Sequence, residues 1–506
     1  MTKSKFAVLI EAMSIQQYVF SSNKLRENIG ASYIVEKLLY GKNGLMDKIL
    51  KEMYGHNFDI ELWKNSVIHE NLDCEIGYVG GGNTLVFFSD ELNAIAFIKR
   101  FSRDCILNFP SLRITFGVKG GFNNSDYKNE FQKLLQNLKE RKAQSIPIVS
   151  IPKHGITADC PWSNDTAEVF EDIIKKYISH ASKSKIQAAK EAQNNQEKTF
   201  KSLNGKYCLT DEIDFLGQNK ESSYIAVVHI DGNGMGKIFS RINGISDLRM
   251  KSKAVSLKAH NAMEMLIGHI IFIKENKLLD GLNFKSDGNN RTILPIRPIL
   301  VGGDDVTFIC EGRLGLYLAE KFIEIFYDKT ERDNKNNIQE KLMDGACAGV
   351  AIVKSHFPFY KAVKLAEELC SEAKKISRSD GGSSISYYYS ATTFSGSLDE
   401  LRKKTHEAQS GNMYYGPYKL FDENDTHSIE NLKNGIKHFN IGWPKNKVMQ
   451  LREIIADSGS AQKLFEKEIS EIGLELPNSQ TSIWANSHTA FFDQIELMDF
   501  YIDTLL

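Results

Sequence analysis

No CxxC pair occurs among the seven cysteines, an odd and scattered set, which argues against a disulfide framework and suits a reducing cytoplasm. No apolar run is long enough to span a bilayer: the longest, near Ala262 to Ile273, is interrupted by Glu264 and His269. The start, MTKSKFAVLIEAM, lacks the long apolar segment and small-residue cleavage site of a secretory signal. A membrane partner is therefore not expected. Nor is there an excess of either charge: a net charge of -1 makes no global case for nucleic-acid binding, so any such surface has to be local. What is present is the composition of a soluble globular protein, 42% hydrophobic and 25% charged, in 506 residues. That length exceeds one ordinary core, so roughly two to four domains are expected.

The stretch ILVGGDDVTFIC, Ile299 to Cys310, has apolar runs on either side of Gly302, Gly303, Asp304 and Asp305. It reads as a hairpin with acid at its tip. Upstream, SYIAVVHIDGNGMGKIF reads as a buried strand ending in Asp231, followed by a glycine-rich turn. A long helix, about Lys253 to Lys274, separates the two. A helix from Leu314 to Tyr327, the strand GACAGVAIVKS and the helix YKAVKLAEELCSEAKKISR follow, then a closing strand in SISYYYSATTFSG.

The first part of the chain repeats this order. A strand over Phe6 to Ile10, the hairpin CEIGYVGGGNTLVFF, a helix from Leu92 to Phe109, the strand LRITFGVKGG and a helix from Tyr127 to Ala143 run in sequence. Laying VGGGNTLVFF on VGGDDVTFIC puts Gly82 on Asp304 and Asn83 on Asp305. Glu11 falls near Asp231, and Tyr127-Lys128 falls on Tyr360-Lys361. Similarity spread over several elements in one order points to duplication, with the acids kept in one copy only. Glu11, Gly82 and Asn83 then read as remnants.

Three carboxylates, one on a central strand and two on a neighbouring hairpin, form the kind of set that holds Mg2+ or Mn2+ for nucleotidyl transfer. In that reading Asp231, Asp304 and Asp305 are catalytic. Backbone N-H groups around Gly232, Asn233, Gly234, Met235 and Gly236, with Gly302 and Gly303, are candidates to face a triphosphate. Lys374 is a candidate point charge for its outer phosphates.

HIDGNGMGKIF, VGGDDVTF and GVAIVKSHFPFYKAVKLAEELCSEAKK together resemble the cyclase-type palm of the large subunit of type III CRISPR-Cas effector complexes, a relative of the GGDEF diguanylate cyclases. SIQQYVFSSNKLRENIGAS resembles the inactive first palm of that family. The resemblance covers about four fifths of the chain. It implies an α+β fold with two ferredoxin-like (βαββαβ) palm domains. The first, degenerate, covers 1-122 with its last helix running to about 145; a partly helical insert covers 123-222. The catalytic palm covers 223-396 and a helical C-terminal domain 397-506. It implies a metal set of Asp231, its neighbour Ile230, Asp304 and Asp305, and conversion of ATP into 3'-5'-linked cyclic oligoadenylate with release of pyrophosphate. ATP and CRISPR effector subunits carrying guide and target RNA are the implied partners, and a homo-oligomer stays open. Two departures stand out. Asn233 occupies a position where the family usually has an acid, and the palm starts within ten residues of Met1, so no HD nuclease domain is expected.

Other features have plainer readings. Ser21, Ser22, Asn23 and Arg26 could touch a second ATP but suit an ordinary helix start better. Cys160 and Cys208, with His154 nearby, fall short of a zinc set. The hydrophilic SHASKSKIQAAKEAQNNQEKTFKSLNG reads as a charged helix or a mobile linker. Lys433, Lys437, Lys445, Lys447 and Arg452 interleave with Phe439 and Trp443, a pattern open to a nucleic-acid or partner surface but better read as a solvated helix face. Two other functions stay open: a standalone cyclase making a cyclic dinucleotide, and a scaffold that binds nucleotide or RNA complex without turnover.

Overall fold

A computed structural model describes residues 5-55, 58-65, 72-145, 155-163, 165-172, 174-217, 223-279, 281-327, 343-380, 382-392, 396-422 and 425-506. His154 lies outside them. The fold is mixed α+β. It divides into one unit of Met1–Thr199, Met235–Asn261 and Ile299–Val306, and another of Phe200–Gly234, Ala262–Pro298 and Thr307–Leu506. No helix among the described residues is long and apolar enough to cross a membrane.

In the first unit, β1 (Lys5–Ala12), β2 (Cys74–Gly80), β3 (Asn83–Phe88) and β4 (Ile114–Phe122) form an antiparallel sheet in the order β2-β3-β1-β4. β1 is central because its run Ala7 to Ile10 is buried on both faces. Helix α1 (Leu25–Tyr33) lies between β1 and β2, α2 (Glu91–Asn108) between β3 and β4, and α3 (Tyr127–Ala143) after β4. Asp90 caps α2, accepting a bond from the Asn93 amide, and Ala94, Phe97, Phe101 and Cys105 bury one face at helical spacing.

The hydrophilic stretch after the first unit's sheet is ordered helix, not linker. Helix α4 (His180–Asn194) packs so tightly on α1 that a Cβ on Gly30 would lie 1.8 Å from the Lys185 carbonyl oxygen. Small residues, Ala188 and Ala189 with Gly30, allow that approach, and they are what average hydropathy hides. Lys185 is itself buried, donating to the Tyr18 carbonyl at 3.1 Å and the Ser21 hydroxyl at 2.9 Å. Helix α5 (Ile245–Glu275) begins well before the expected Lys253. Its early turns are held by Arg249, which is buried and donates to Glu75 at 2.9 Å and to the Gly77 carbonyl at 2.8 Å.

The second sheet contains β5 (Tyr224–Asn233), β6 (Ile296–Gly302), β7 (Asp305–Glu311), β8 (Gly345–Lys354), β9 (Ser383–Ser390) and β10 (Tyr418–Leu420), in the order β6-β7-β5-β8-β9-β10. Its first four strands repeat the order of the first sheet. Helix α6 (Gly315–Phe326) follows the β6-β7 hairpin, and α7 (Phe359–Asp380) joins β8 to β9, which run parallel. Gly349 on β8 lies against α7: a Cβ there would meet the Ala366 carbonyl oxygen at 2.0 Å.

Downstream, α8 (Leu398–His406), α9 (Ile429–Gly442), α10 (Lys445–Ile455), α11 (Gly459–Glu471) and α12 (Phe491–Leu497) are helical. Tyr418 to Leu420 departs from the helical expectation by adding β10 to the sheet. Phe439 and Trp443 belong to the buried core, and Lys433 is paired with Glu320 at 2.8 Å. The aromatic side chains therefore do not interleave with the lysines on a surface.

A buried polar seam joins α8 and α12 to β10 and the loop before it. Asp493 accepts from the Tyr418 hydroxyl at 2.5 Å and the Tyr415 amide at 2.9 Å, and Arg402 lies over the Tyr414 ring. Burial pushes Asp493 up to about 6 and Glu496 up to about 8. Burial also takes His406 down to about 3, so its 4.0 Å approach to Glu496 is not an ion pair.

Two outcomes are expected. Gly349→Ala drives a methyl group into the α7 backbone and should cost about 1-3 kcal/mol in chemical denaturation followed by circular dichroism. Glu496 has a raised carboxyl, so its contribution is fully present below its ordinary value of 4.5 and is lost as pH rises through about 8. Glu496→Gln should therefore flatten the decline in stability across that window, and the advantage of the variant over the parent should grow with pH to roughly a few kcal/mol.

Candidate active site

The two hairpin turns are of the same length and each opens with a left-handed glycine, although in the first Gly82 is left-handed as well, with φ 75°. β2 ends at Gly80, Gly81 has φ 58° and β3 begins at Asn83. β6 ends at Gly302, Gly303 has φ 85° and β7 begins at Asp305. The left-handed residue at each tip is one that glycine adopts without strain. Asp304 thus occupies the turn position of Gly82, and Asp305 the first strand position of Asn83. In the first sheet the register partner of Asn83 is Glu11. In the second, the His229 ring Nδ1 lies 3.0 Å from the Thr307 hydroxyl, and the Cys310 thiol faces the Ala226 carbonyl at 3.9 Å.

Asp231 is half-buried near the end of β5, and its carboxylate is ion-paired with Lys374 on α7. The Lys374 ammonium also lies 3.5 Å from the Gly232 carbonyl. The first unit carries the same pair: Glu11 on β1 meets Lys142, near the end of α3, at 2.5 Å. Sequence reading singled out Glu11 but missed Lys142. Extending the match of Tyr127-Lys128 with Tyr360-Lys361 along the two helices brings Lys142 within one position of Lys374.

The glycine-rich turn is shorter than expected. β5 runs past Asp231 through Gly232 to Asn233, so those two are strand residues, while Met235 and Gly236 begin a short helix, Met235–Ser240. Gly234 alone turns the chain, with φ 81°. Asp344 packs against it, and a Cβ on Gly234 would meet the Asp344 carboxylate at 2.4 Å. Asn233 directs its amide nitrogen to the Gly382 carbonyl at 3.0 Å and to the Cys347 sulfur at 3.3 Å. Ile230 has a fully buried side chain, so only its main chain is available to a ligand. Neither Asp344 nor Gln16 stood out in the sequence; the Gln16 amide donates to Asp305 at 3.2 Å.

Burial holds the His229 imidazole below its usual range, leaving it uncharged. Ser21 donates to the Tyr18 carbonyl at 3.1 Å and Ser22 accepts from the Lys24 amide at 3.1 Å, the local bonding of a helix start. Cys160 and Cys208 are buried free thiols. Among the described residues, no group of three or more His, Cys, Asp or Glu side chains is arranged to hold a metal ion.

Residues 224–381 match the family model described as Cas10/Cmr2, second palm domain. No curated protein matches the chain. Among solved structures it is similar to Csm1 in T. onnurineus, at 13% identity and a TM-score of 0.49, covering 99% of this chain and 70% of that one. It is also similar to a Csm1-Csm4 cassette in complex with cA4, at 12% identity, TM-score 0.48 and the same coverage. A Csm1-Csm4 cassette in complex with AMPPNP matches at 14% identity and TM-score 0.47, over 100% of this chain and 70% of that one. At such identities and scores the solved structures carry no weight for activity, substrate or partner.

Gly234 and Gly236 separate the two roles of glycine here. Gly234→Ala meets both a left-handed backbone and the Asp344 carboxylate, and should cost about 1-2 kcal/mol. Gly236→Ala, with nothing within 4 Å of the added Cβ, should be neutral or slightly stabilising. Parallel urea titrations check the contrast.

Proposed function

Residues 224–381 form a second palm domain of the Cas10/Cmr2 family, and from that premise we propose that the chain is a metal-dependent nucleotidyltransferase that converts ATP into cyclic oligoadenylate. In this reading the two βαββαβ units are ferredoxin-like palms, the first silent and the second active. The chain serves as the large subunit of a type III CRISPR effector complex that carries guide and target RNA. The observation that carries the reading is the repeated acid-lysine pair. Glu11 on β1 meets Lys142 on α3, and Asp231 on β5 meets Lys374 on α7.

The donors suit the ion this chemistry needs. Asp231, Asp304 and Asp305 offer hard carboxylate oxygens without a thiolate or imidazole, the preference of Mg2+ or Mn2+, and the Ile230 carbonyl adds a main-chain oxygen. When bound, such an ion supplies charge neutralisation on the triphosphate and acidifies the attacking hydroxyl. The chain's own residues do the rest. Gly302 and Gly303 let the hairpin backbone approach the phosphates. Lys374, here paired with Asp231, would have its ammonium free for the outer phosphates if that carboxylate held a metal. The 3'-hydroxyl of one ATP attacks the α-phosphorus of another, a new P-O bond forms, the α-β bridge breaks and pyrophosphate leaves. The hydroxyl proton goes to solvent, because His229 is buried and bonded to Thr307.

Asp304→Ala combined with Asp305→Ala should lower synthesis by about 10³-fold or more, with melting unchanged. Mass spectrometry of products from ATP and Mg2+ or Mn2+, with and without target RNA, checks this. Undiminished synthesis by the double variant overturns the reading. So does a wild-type chain that yields no product under any of these conditions.

A further inference from the structure

Asn233 stands two residues beyond Asp231 on β5, so the two side chains leave the strand on the same face. Its carboxamide is engaged by protein. The nitrogen lies 3.0 Å from the Gly382 carbonyl and 3.3 Å from the Cys347 sulfur. A carbonyl oxygen only accepts, so the amide nitrogen has to face it. A carboxylate of the same shape would set acceptor against acceptor. Gly382, with φ 84°, leads into β9 and sits tightly on β8: a Cβ on Gly345 would lie 2.1 Å from its carbonyl oxygen.

Beneath this contact runs a buried chain of hydrogen bonds. The Cys347 thiol lies 3.0 Å from the Ser377 hydroxyl and 3.5 Å from that of Ser384. Ser377 and Ser384 are 2.9 Å apart, and Ser384 donates to the Ala373 carbonyl at 2.8 Å. Ala373 and Ser377 flank Lys374 on α7. The network therefore ties the end of β5 to the helix whose lysine pairs with Asp231, through β8 and the start of β9.

We propose that Asn233 is a positioning residue: its amide locks the end of β5 to Gly382, holds Lys374 in line with Asp231, and is not itself a ligand to metal or nucleotide. The catalytic consequence rests on the nucleotidyltransferase reading; the structural tie does not. The position rewards a donor, which an amide supplies and a carboxylate does not.

The tests use the full chain. Asn233→Asp keeps the shape but loses the donor, and Asn233→Ala removes both. Without nucleotide or metal, amide hydrogen exchange over Ser383–Ser386 and the last turns of α7 should quicken about tenfold or more in both variants, while exchange in the first sheet stays unchanged. In the synthesis assay, Asn233→Asp should lower the rate at saturating ATP without lowering the Mg2+ concentration that gives half of it. Parental exchange in both variants overturns the proposal. So does an Asn233→Asp enzyme that half-saturates at several-fold lower Mg2+, the signature of a new carboxylate ligand. Should the parent make no product, the exchange arm still decides the tie, and only the nucleotidyltransferase reading fails.

Discussion

The register of β5 is the constraint on which the rest depends. The strand is buried from Ile225 to Ile230, with β7 on one side and β8 on the other. A slip of one residue would send His229, Asp231 and Asn233 to the opposite face and bring their apolar neighbours in their place. Burial on both faces makes such a slip expensive. The His229-Thr307 contact and the pairing of Asp231 with Cys347 on β8 pin the strand from each side. The lysine on α7 and the amide at 233 are both aimed relative to that one fixed ladder.

The two sheets share a pattern that does not depend on what stands at their hairpin tips. Strand order, the left-handed glycine at the hairpin tip and the ion pair between the first strand and the last helix persist in both. These are the elements on which folding depends. The residues at the tips differ: Gly82 and Asn83 in the first sheet, Asp304 and Asp305 in the second. Helix α2 in the first unit and α6 in the second both bury phenylalanines, so both carry the same kind of hydrophobic support.

Much of this architecture was legible in the chain because it rests on short-range patterns. Helix α3 spans Tyr127–Ala143, the residues its periodicity marks, and α2 lies one residue from the expected 92-109. The hairpin ends follow directly from their glycines. Long-range pairings escaped notice. Lys142 with Glu11 and Gln16 with Asp305 join residues far apart in sequence, and a single sequence carries no periodic signal for them. The end of β5 was misplaced because glycines suggest a turn, whereas pairing with β8 carries the strand on to Asn233. Helix α4 was half-hidden because a polar, alanine-rich segment looks solvated until its small side chains meet Gly30.

The acid-lysine pair of the first unit also bears on which acids a unit of this kind could lose cheaply. Lys142 and Glu11 are both partly shielded from water, each the other's counter-charge. Removing the hairpin carboxylates strands no cation, because Lys142 already has its partner. Losing Glu11 first would have left an ammonium half-desolvated beside a sheet, a change with an immediate cost in stability. Silencing at the tip is therefore the open route and silencing at the strand the closed one. A retired copy of this fold should be recognisable by an intact acid on its first strand facing a blank hairpin.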